Sequence, residues 1–223
     1  MSPIPPTSRR NLLRGAVVVG AGAAVGGGTL LTASMAHADV KAPAITSCAD
    51  WGARDPNGDL TQLDANPTKI VIHHTASGNS GGENQEESNA FAREVQGWHM
   101  DGNGWADTGQ HFTVTRGGFA LEGRHTSLQH LTDGAGFVQG AHSPGANTDG
   151  VGIENQGTYI DGLPPQALWD KLVELCVYIC AQWGIDPNEI YGHRDFYATE
   201  CPGQAFYDAL PQLREDVGAA LNA

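Results

Sequence analysis

The sequence has few basic residues. Its 223 residues include 12 lysines and arginines against 25 aspartates and glutamates, for a formal net charge of −13 at pH 7. Proteins that bind nucleic acid depend on lysine and arginine to neutralise phosphates. The composition therefore argues against nucleic acid as a partner, and the acidic excess mainly favours solubility.

Long apolar runs are also scarce. One extends over 15–31, after the twin-arginine pattern SRRNLLR at 8–14 and before an A-x-A cleavage site at 36–38. Five glycines interrupt this run between positions 20 and 28, and no stop-transfer pattern follows, which disfavours a permanent membrane anchor. The pattern predicts a twin-arginine export signal over 1–38, a secreted protein, and no stable membrane insertion after cleavage.

Cysteine is sparse as well. The four cysteines are Cys48, Cys176, Cys180 and Cys201. An even number in an oxidising compartment first suggests two disulfides. A chain of this length buries a sizeable core without such cross-links, so disulfides are permitted here and not required.

Hydrophobic periodicity predicts an α/β fold, as a single domain with a central mixed β-sheet flanked by helices. No internal repeat is present, and we expect an irregular entry segment over 39–67 before the domain proper at 68–223. The predicted strands are 69–74, 111–115, 119–122, 150–154 and 189–193. Turn residues 116–118 join two of them as a hairpin. Helices are predicted over 83–100, from 164 onward, and over 206–221.

Two histidines and one cysteine carry the candidate chemistry. His73 and His193 lie at or near predicted strand ends, and Cys201 lies in the loop after the second. Zinc binds imidazole nitrogen and thiolate sulfur, and a catalytic site uses three protein ligands with the fourth position open to water. From spacing alone the alternatives remain open: His73 as a buried core histidine, a surface turn at 193–195, and a disulfide from Cys201.

Seven short motifs occur in a recognisable order over about residues 48 to 220. They are WGAR at 51–54, IVIHHT at 70–75, GQHF at 109–112, EGR at 122–124, GAH at 140–142 with Asn147, GVGIE at 150–154, and GHRD through CPG at 192–203. In this order they resemble the zinc-dependent N-acetylmuramoyl-L-alanine amidases, the superfamily that includes the peptidoglycan recognition proteins and the phage lysozyme-type amidases. An ordered set is more specific than any single motif.

The resemblance implies Zn²⁺ as the cofactor, with His73, His193 and Cys201 as its ligands. His74 would then point to the other side of its strand, because strand side chains alternate. The implied partner is bacterial peptidoglycan, and the implied reaction is hydrolysis of the amide between the lactyl group of N-acetylmuramic acid and the first alanine of the stem peptide. Relatives that only bind peptidoglycan often lack the cysteine at this position. We expect a monomer.

The sequence departs from the phage-type amidases at two positions. Gln110 replaces a tyrosine, and Thr199 replaces a lysine, as in many catalytic recognition proteins. These differences direct attention to Glu154, which matches the glutamate proposed as proton carrier in the cytoplasmic anhydromuramyl-peptide amidases. The alternative for Glu154 is a carboxylate that orients a ligating histidine. Thr199 is expected to donate a hydrogen bond to the oxyanion or substrate carbonyl, with loop capping as its alternative.

Two further residues, His142 and Asn147, match groove positions near the scissile bond and are predicted to bind substrate. Of the remaining cysteines, Cys176 and Cys180 lie one helical turn apart, which disfavours a bridge between them. We therefore expect Cys48 to pair with one of the two.

Two other functional classes compete with the amidase. One is a peptidoglycan receptor with the same groove and no turnover. The other is an interaction protein stabilised by zinc or a disulfide, in which Glu154 is structural. The presence of Cys201 argues against a pure receptor, because binding alone needs no third metal ligand.

Overall fold

The computed structural model describes residues 40–223. The predicted export signal over 1–38 lies outside the described residues. Among the helices of 40–223, none combines the length and hydropathy needed to cross a membrane.

A six-stranded mixed sheet forms the centre of the domain, as predicted. Its strands in spatial order are β1 (Ile45–Thr46), β5 (Ala120–Glu122), β4 (Phe112–Val114), β7 (Gly150–Asn155), β3 (Lys69–His74) and β8 (Ile190–Gly192). The β4–β5 hairpin is antiparallel, and every other neighbouring pair in this sheet is parallel. A separate antiparallel pair joins β2 (Gln62–Leu63) to β6 (Phe137–Val138).

All five predicted strands are present, with ends within one residue of the predicted positions. β3, which has a β-branched run, lies between two parallel neighbours, β7 and β8. Both of its faces are covered, as such a run favours. The sequence did not predict β1, β2 and β6, because strands of two residues are too short to show an alternating pattern.

The three predicted helical regions are present, and two further short helices, at 48–51 and 127–133, were not predicted. The helices are α1 (Cys48–Trp51), α2 (Gln85–Gly97), α3 (Ser127–Asp133), α4 (Gln166–Trp183), α5 (Gln204–Asp208) and α6 (Leu210–Leu221). Asn84 caps α2 by accepting from the backbone N–H of Glu87, and a π-helical turn over Trp98–Gly102 continues it. The predicted terminal helix is split into α5 and α6, because Pro211 has no N–H to donate to the carbonyl of Tyr207.

The two faces of the sheet carry different layers. Alternate strand residues such as Ile72 and Ile153 belong to the main core, which also contains the apolar residues of α4 and α6. The opposite face carries His73 and, through the β4–β5 register, Leu121. Leu121 packs in a smaller cluster with residues of α1 and α2. The opposite face therefore has room for polar side chains at the ends of the central strands.

Two expectations about the entry segment are corrected. Residues 39–67 are not wholly irregular, since β1 pairs with β5 and α1 packs against the sheet. The expected disulfide of Cys48 is wrong, because all four cysteines of residues 40–223 are free. Cys48 lies in the smaller cluster and its thiol donates to the carbonyl of Gly123 at 3.3 Å, whereas Cys176 and Cys180 lie in the main core.

Candidate metal centre

Three parallel strands bring the candidate ligands together at their carboxyl ends. In the register of β3 with β8, Ile72 faces Gly192, so the next residues, His73 and His193, come side by side. In the register of β3 with β7, His73 faces Glu154. Side chains at facing positions leave the same side of a sheet. The topology therefore collects two imidazoles and a carboxylate on the face opposite the main core.

The loop after β8 returns Cys201 to the same place. The candidate ligand atoms of His73, His193 and Cys201 all lie within 4.8 Å of one another, and Sγ of Cys201 is 3.7 Å from Nδ1 of His73. Two ligand atoms on a tetrahedral zinc are separated by about 3.5 Å. Across residues 40–223, this is the one group of three or more histidine, cysteine or acidic side chains arranged to hold a metal.

The protonation states of these groups suit a metal. Burial lowers the pKa of both His73 and His193, so both imidazoles are neutral, the form that binds metal. Burial raises the pKa of the Cys201 thiol to about 12, so a thiolate here needs a neighbouring positive charge at neutral pH. The backbone N–H of His74 already donates to this sulfur at 3.4 Å. Nε2 of His193 is buried and has no hydrogen-bond partner within the described chain. The donor set therefore fits zinc.

His74 lies apart from this cluster, as strand alternation predicts. Its Nδ1 accepts a hydrogen bond from the backbone N–H of Tyr159 at 3.4 Å, and Tyr159 belongs to the main core. The histidine pair thus divides its side chains between the two faces of the sheet.

Glu154 stands beside His73 with its side chain 15% exposed. Burial raises the pKa of this carboxyl to about 8. Its Oε1 lies 3.8 Å from Nε2 of His99, a residue that the sequence did not single out. Within residues 40–223 its carboxylate makes no hydrogen bond to a candidate ligand, so the arrangement of a carboxylate orienting a ligating histidine has no contact to support it.

His99 is held by its surroundings. Its Nδ1 accepts from the backbone N–H of Gly109 at 3.2 Å, and its ring lies against Trp105 with centroids 4.8 Å apart. Because Nδ1 accepts, the hydrogen of the neutral ring is on Nε2, the atom that faces Glu154. No sequence motif marked this histidine, because only tertiary folding places the end of α2 near β7.

Thr199 and Gln110 occupy different surroundings. Oγ1 of Thr199 accepts from the backbone N–H of Cys201 at 3.2 Å, which caps the loop and leaves the hydroxyl hydrogen free to donate elsewhere. Gln110 is buried, and its Nε2 donates to Oγ1 of Thr113 at 2.9 Å. Thr199 therefore lies next to a candidate ligand, whereas the Gln110 amide is engaged in the interior.

His142 lies against His73, and Asn147, which is half-buried, lies in the loop that follows His142. His142 is buried, with Nδ1 3.0 Å from Nε2 of His73, and burial lowers its pKa to about 3. Oδ1 of Asn147 accepts the backbone N–H groups of His142 and Ser143, each at 2.8 Å. The structure thus places His142 directly behind a candidate ligand, and Asn147 shapes the loop that carries it.

A surface groove begins two residues beyond His73. It encloses a volume of about 510 Å³ and is lined by Thr75, Ala76, Ser77, Gly78, Ser80, Phe91, Glu94, Trp98 and Gln156. Trp98 is partly exposed in its wall. On the other loop, the exposed ring of Tyr197 stacks on His193 with centroids 6.0 Å apart. Exposed aromatic surface therefore lies both along the groove and against a candidate ligand.

The chain is similar to known proteins in both sequence and fold. The family described as N-acetylmuramoyl-L-alanine amidase matches residues 63–204, more than half of the chain. The human N-acetylmuramoyl-L-alanine amidase is 29% identical over 181 residues, which cover 80% of this chain and 30% of that protein. Peptidoglycan-recognition protein SC1a of Drosophila melanogaster is 30% identical over 175 residues, which cover 74% of this chain and 83% of that protein.

A solved structure agrees with these similarities. A variant of Drosophila PGRP-LB in complex with tracheal cytotoxin is 28% identical and superposes with a TM-score of 0.65, covering 74% of this chain and 92% of that one. The chain spans only about a third of the length of the human and mouse amidases that it matches.

Proposed function

Because the chain belongs to the N-acetylmuramoyl-L-alanine amidase family, we propose that it is a zinc-dependent amidase of bacterial peptidoglycan. The bond cleaved would be the amide between the lactyl group of N-acetylmuramic acid and the first alanine of the stem peptide. The observation that carries the proposal is the convergence of His73, His193 and Cys201 within 4.8 Å. Such a donor set is what a catalytic zinc site uses, and a module that only binds peptidoglycan has no need of it.

The two imidazoles and the thiolate would hold the metal and leave one coordination position open. When bound, zinc supplies Lewis acidity toward the scissile carbonyl and increases the acidity of a water molecule. The neutral state of the two imidazoles means that no proton has to leave them before binding.

Glu154 would move the proton during hydrolysis. Its carboxylate takes a proton from the attacking water and delivers it to the departing alanine nitrogen. A pKa near the working pH is the best compromise between holding and releasing a proton, and burial moves this carboxyl in that direction. Nε2 of His99 lies 3.8 Å from Oε1 of this carboxylate.

Thr199 would stabilise the oxyanion. Its oxygen is occupied by the N–H of Cys201, so its hydrogen is available to a negative charge developing beside the metal ligands.

The groove from Thr75 to Trp98 would hold the substrate next to these groups. Peptidoglycan as the ligand is supported by the names of the relatives, one of which is bound to tracheal cytotoxin.

We also propose that residues 1–38 act as a twin-arginine export signal and that the protein works at the cell wall as a monomer. The amidase domain would then begin within the entry segment, because β1 completes one edge of the sheet. Release of the mature chain from twin-arginine-competent cells, and its absence from the medium when both Arg9 and Arg10 are changed to lysine, would test the export signal.

The enzymatic proposal is tested by measuring metal content and stem-peptide release on the same preparations. We expect one zinc per mature chain and release of stem peptides from purified peptidoglycan, and we expect chelation to stop the release. Cys201→Ser should lose both zinc and activity, whereas Cys180→Ala, which changes a core cysteine away from the site, should keep both. Zinc without release would support a receptor instead, and full activity after exhaustive chelation would overturn the proposal.

A further inference from the structure

The contact between His142 and His73 is a hydrogen bond between two buried imidazoles. Nδ1 of His142 lies 3.0 Å from Nε2 of His73, and the two rings are nearly perpendicular, with an interplanar angle of 86°. A neutral imidazole has an N–H hydrogen on only one of its two ring nitrogens. In the contact between the two rings, one nitrogen must therefore donate and the nitrogen of the other ring must accept. Burial of both rings favours their neutral forms.

A carbonyl group determines the direction of this bond. Nε2 of His142 lies 3.1 Å from the backbone oxygen of Gly150, which can only accept. The hydrogen of His142 is therefore on Nε2, and its Nδ1 has a lone pair. His73 must then donate from its own Nε2. The remaining nitrogen of His73, Nδ1, has the free lone pair, and it is the one that lies 3.7 Å from Sγ of Cys201.

Two glycines make room for the His142 ring. A Cβ on Gly152 would lie 2.5 Å from Cγ of His142, and a Cβ on Gly140 would lie 2.6 Å from its Cδ2. Gly152 is in the middle of β7, where a side chain would otherwise cover this part of the sheet. The ring of His111 packs edge-on, with centroids 5.5 Å apart, and Asn147 holds the backbone of His142. The ring is thus confined on several sides in one orientation.

We propose that His142 is a positioning residue that fixes the tautomer and ring orientation of His73 and so presents Nδ1 of His73 to the metal. This inference rests on the proposed function for the identity of the metal. It assigns His142 a place behind a ligand, and it explains the need for small residues at 140 and 152. Groups that hydrogen-bond a ligating imidazole in this way typically change metal affinity when they are removed.

The first test needs neither metal nor activity. In the metal-free protein, nitrogen-15 chemical shifts of the histidine rings report the tautomers directly. We expect His73 to carry its hydrogen on Nε2 and His142 to carry its hydrogen on Nε2. If the hydrogen of His73 is on Nδ1 instead, the proposed direction of the hydrogen bond is wrong and the proposal fails, whatever reaction the protein catalyses.

The second test measures zinc affinity by competition with a chelating indicator. His142→Phe keeps a planar ring but removes the acceptor, and we expect zinc affinity to fall by about 10- to 100-fold. His142→Gln supplies a carbonyl acceptor and should recover much of that loss. His130→Gln changes a half-buried histidine on α3 whose ring bonds to Gln62 and Ala135, and it should leave the affinity unchanged. Equal affinity of the parent and His142→Phe would overturn the proposal.

The two proposals fail in different ways. If the protein binds zinc but releases no stem peptides, the amidase proposal fails, and the tautomer and affinity measurements still decide the role of His142. If His142→Phe does not fold, as judged by circular dichroism, the ring tautomers of the unmodified protein remain decisive.

Discussion

His73 and Glu154 face each other in the register of two central parallel strands, β3 and β7, and their side chains leave the same side of the sheet. Neighbouring strands are about 4.8 Å apart, so a candidate metal ligand and a candidate proton carrier stand next to each other without any contribution from a flexible loop. This rigid pairing makes the role of Glu154 accessible to a simple substitution.

Glu154→Gln should keep zinc and lose turnover. The amide has nearly the same shape as the carboxyl group but cannot carry a proton, so we expect kcat to fall by about 10²- to 10⁴-fold. Glu174→Gln, on the exposed side of α4, serves as the matched control and should behave like the parent. Hydrolysis of purified peptidoglycan by the Glu154→Gln variant at the parental rate would show that the carboxylate is structural.

Thr199→Val should lower kcat by about 100-fold with little change in KM, because the hydroxyl is expected to stabilise charge that develops only in the transition state. Thr199→Ser should restore most of the activity. A purely loop-capping role predicts a different result, in which thermal stability falls through loss of the bond to the N–H of Cys201 and kcat is retained. Steady-state kinetics and thermal melts of the three proteins separate the two roles.

The mature protein should contain four free thiols. Cys48 lies in the smaller cluster, whereas Cys176 and Cys180 lie in the main core, so we expect no disulfide between Cys48 and either of them. Alkylation of the unfolded, unreduced and metal-free protein, followed by mass spectrometry, should show four modified cysteines. Two modified cysteines would reveal a disulfide and contradict the arrangement of Cys48.

The pair of Asp107 and His125 should make stability depend on pH. The Asp107 carboxylate is buried and accepts from Nδ1 and the backbone N–H of His125, each at 2.8 Å. Its hydrogen bond raises the pKa of His125 above 6.5. A raised folded-state pKa stabilises the fold fully below the unfolded value and stops doing so as the pH rises through the folded value.

We therefore expect the difference in unfolding free energy between the parent and His125→Asn to be largest below about pH 6 and to shrink above it as the histidine loses its proton. Burial tends to raise the pKa of Asp107, but the hydrogen bonds from His125 outweigh it and lower the pKa below 3.8. The stability that the Asp107 carboxylate contributes is therefore lost only in stronger acid. Denaturant titrations at several pH values measure the difference. A difference that does not vary with pH would contradict this account.

Most of the regular structure could be predicted from the sequence because it is encoded locally. The β-branched run of β3 and the apolar stripe of α4 show their periods over short windows, and each appears where predicted. The three candidate ligands were also predicted, but from the ordered motifs and not from their spacing. The very short strands, α1 and α3 were missed, because few residues define them.

The amino-acid sequence by itself determined the order of strands and helices, the place of His73 at a strand end, and the chemistry of the groups around it. Only the tertiary structure decided that His142 lies behind His73, that His99 faces Glu154, and that Cys48 is free and lies in a different cluster from Cys176 and Cys180. His73 and His142 are 69 positions apart, and their contact depends on the parallel register of β3 and β7 and on the space left by glycines. Such contacts cannot be read from a short stretch of sequence, because they form only when separate strands are brought into one sheet.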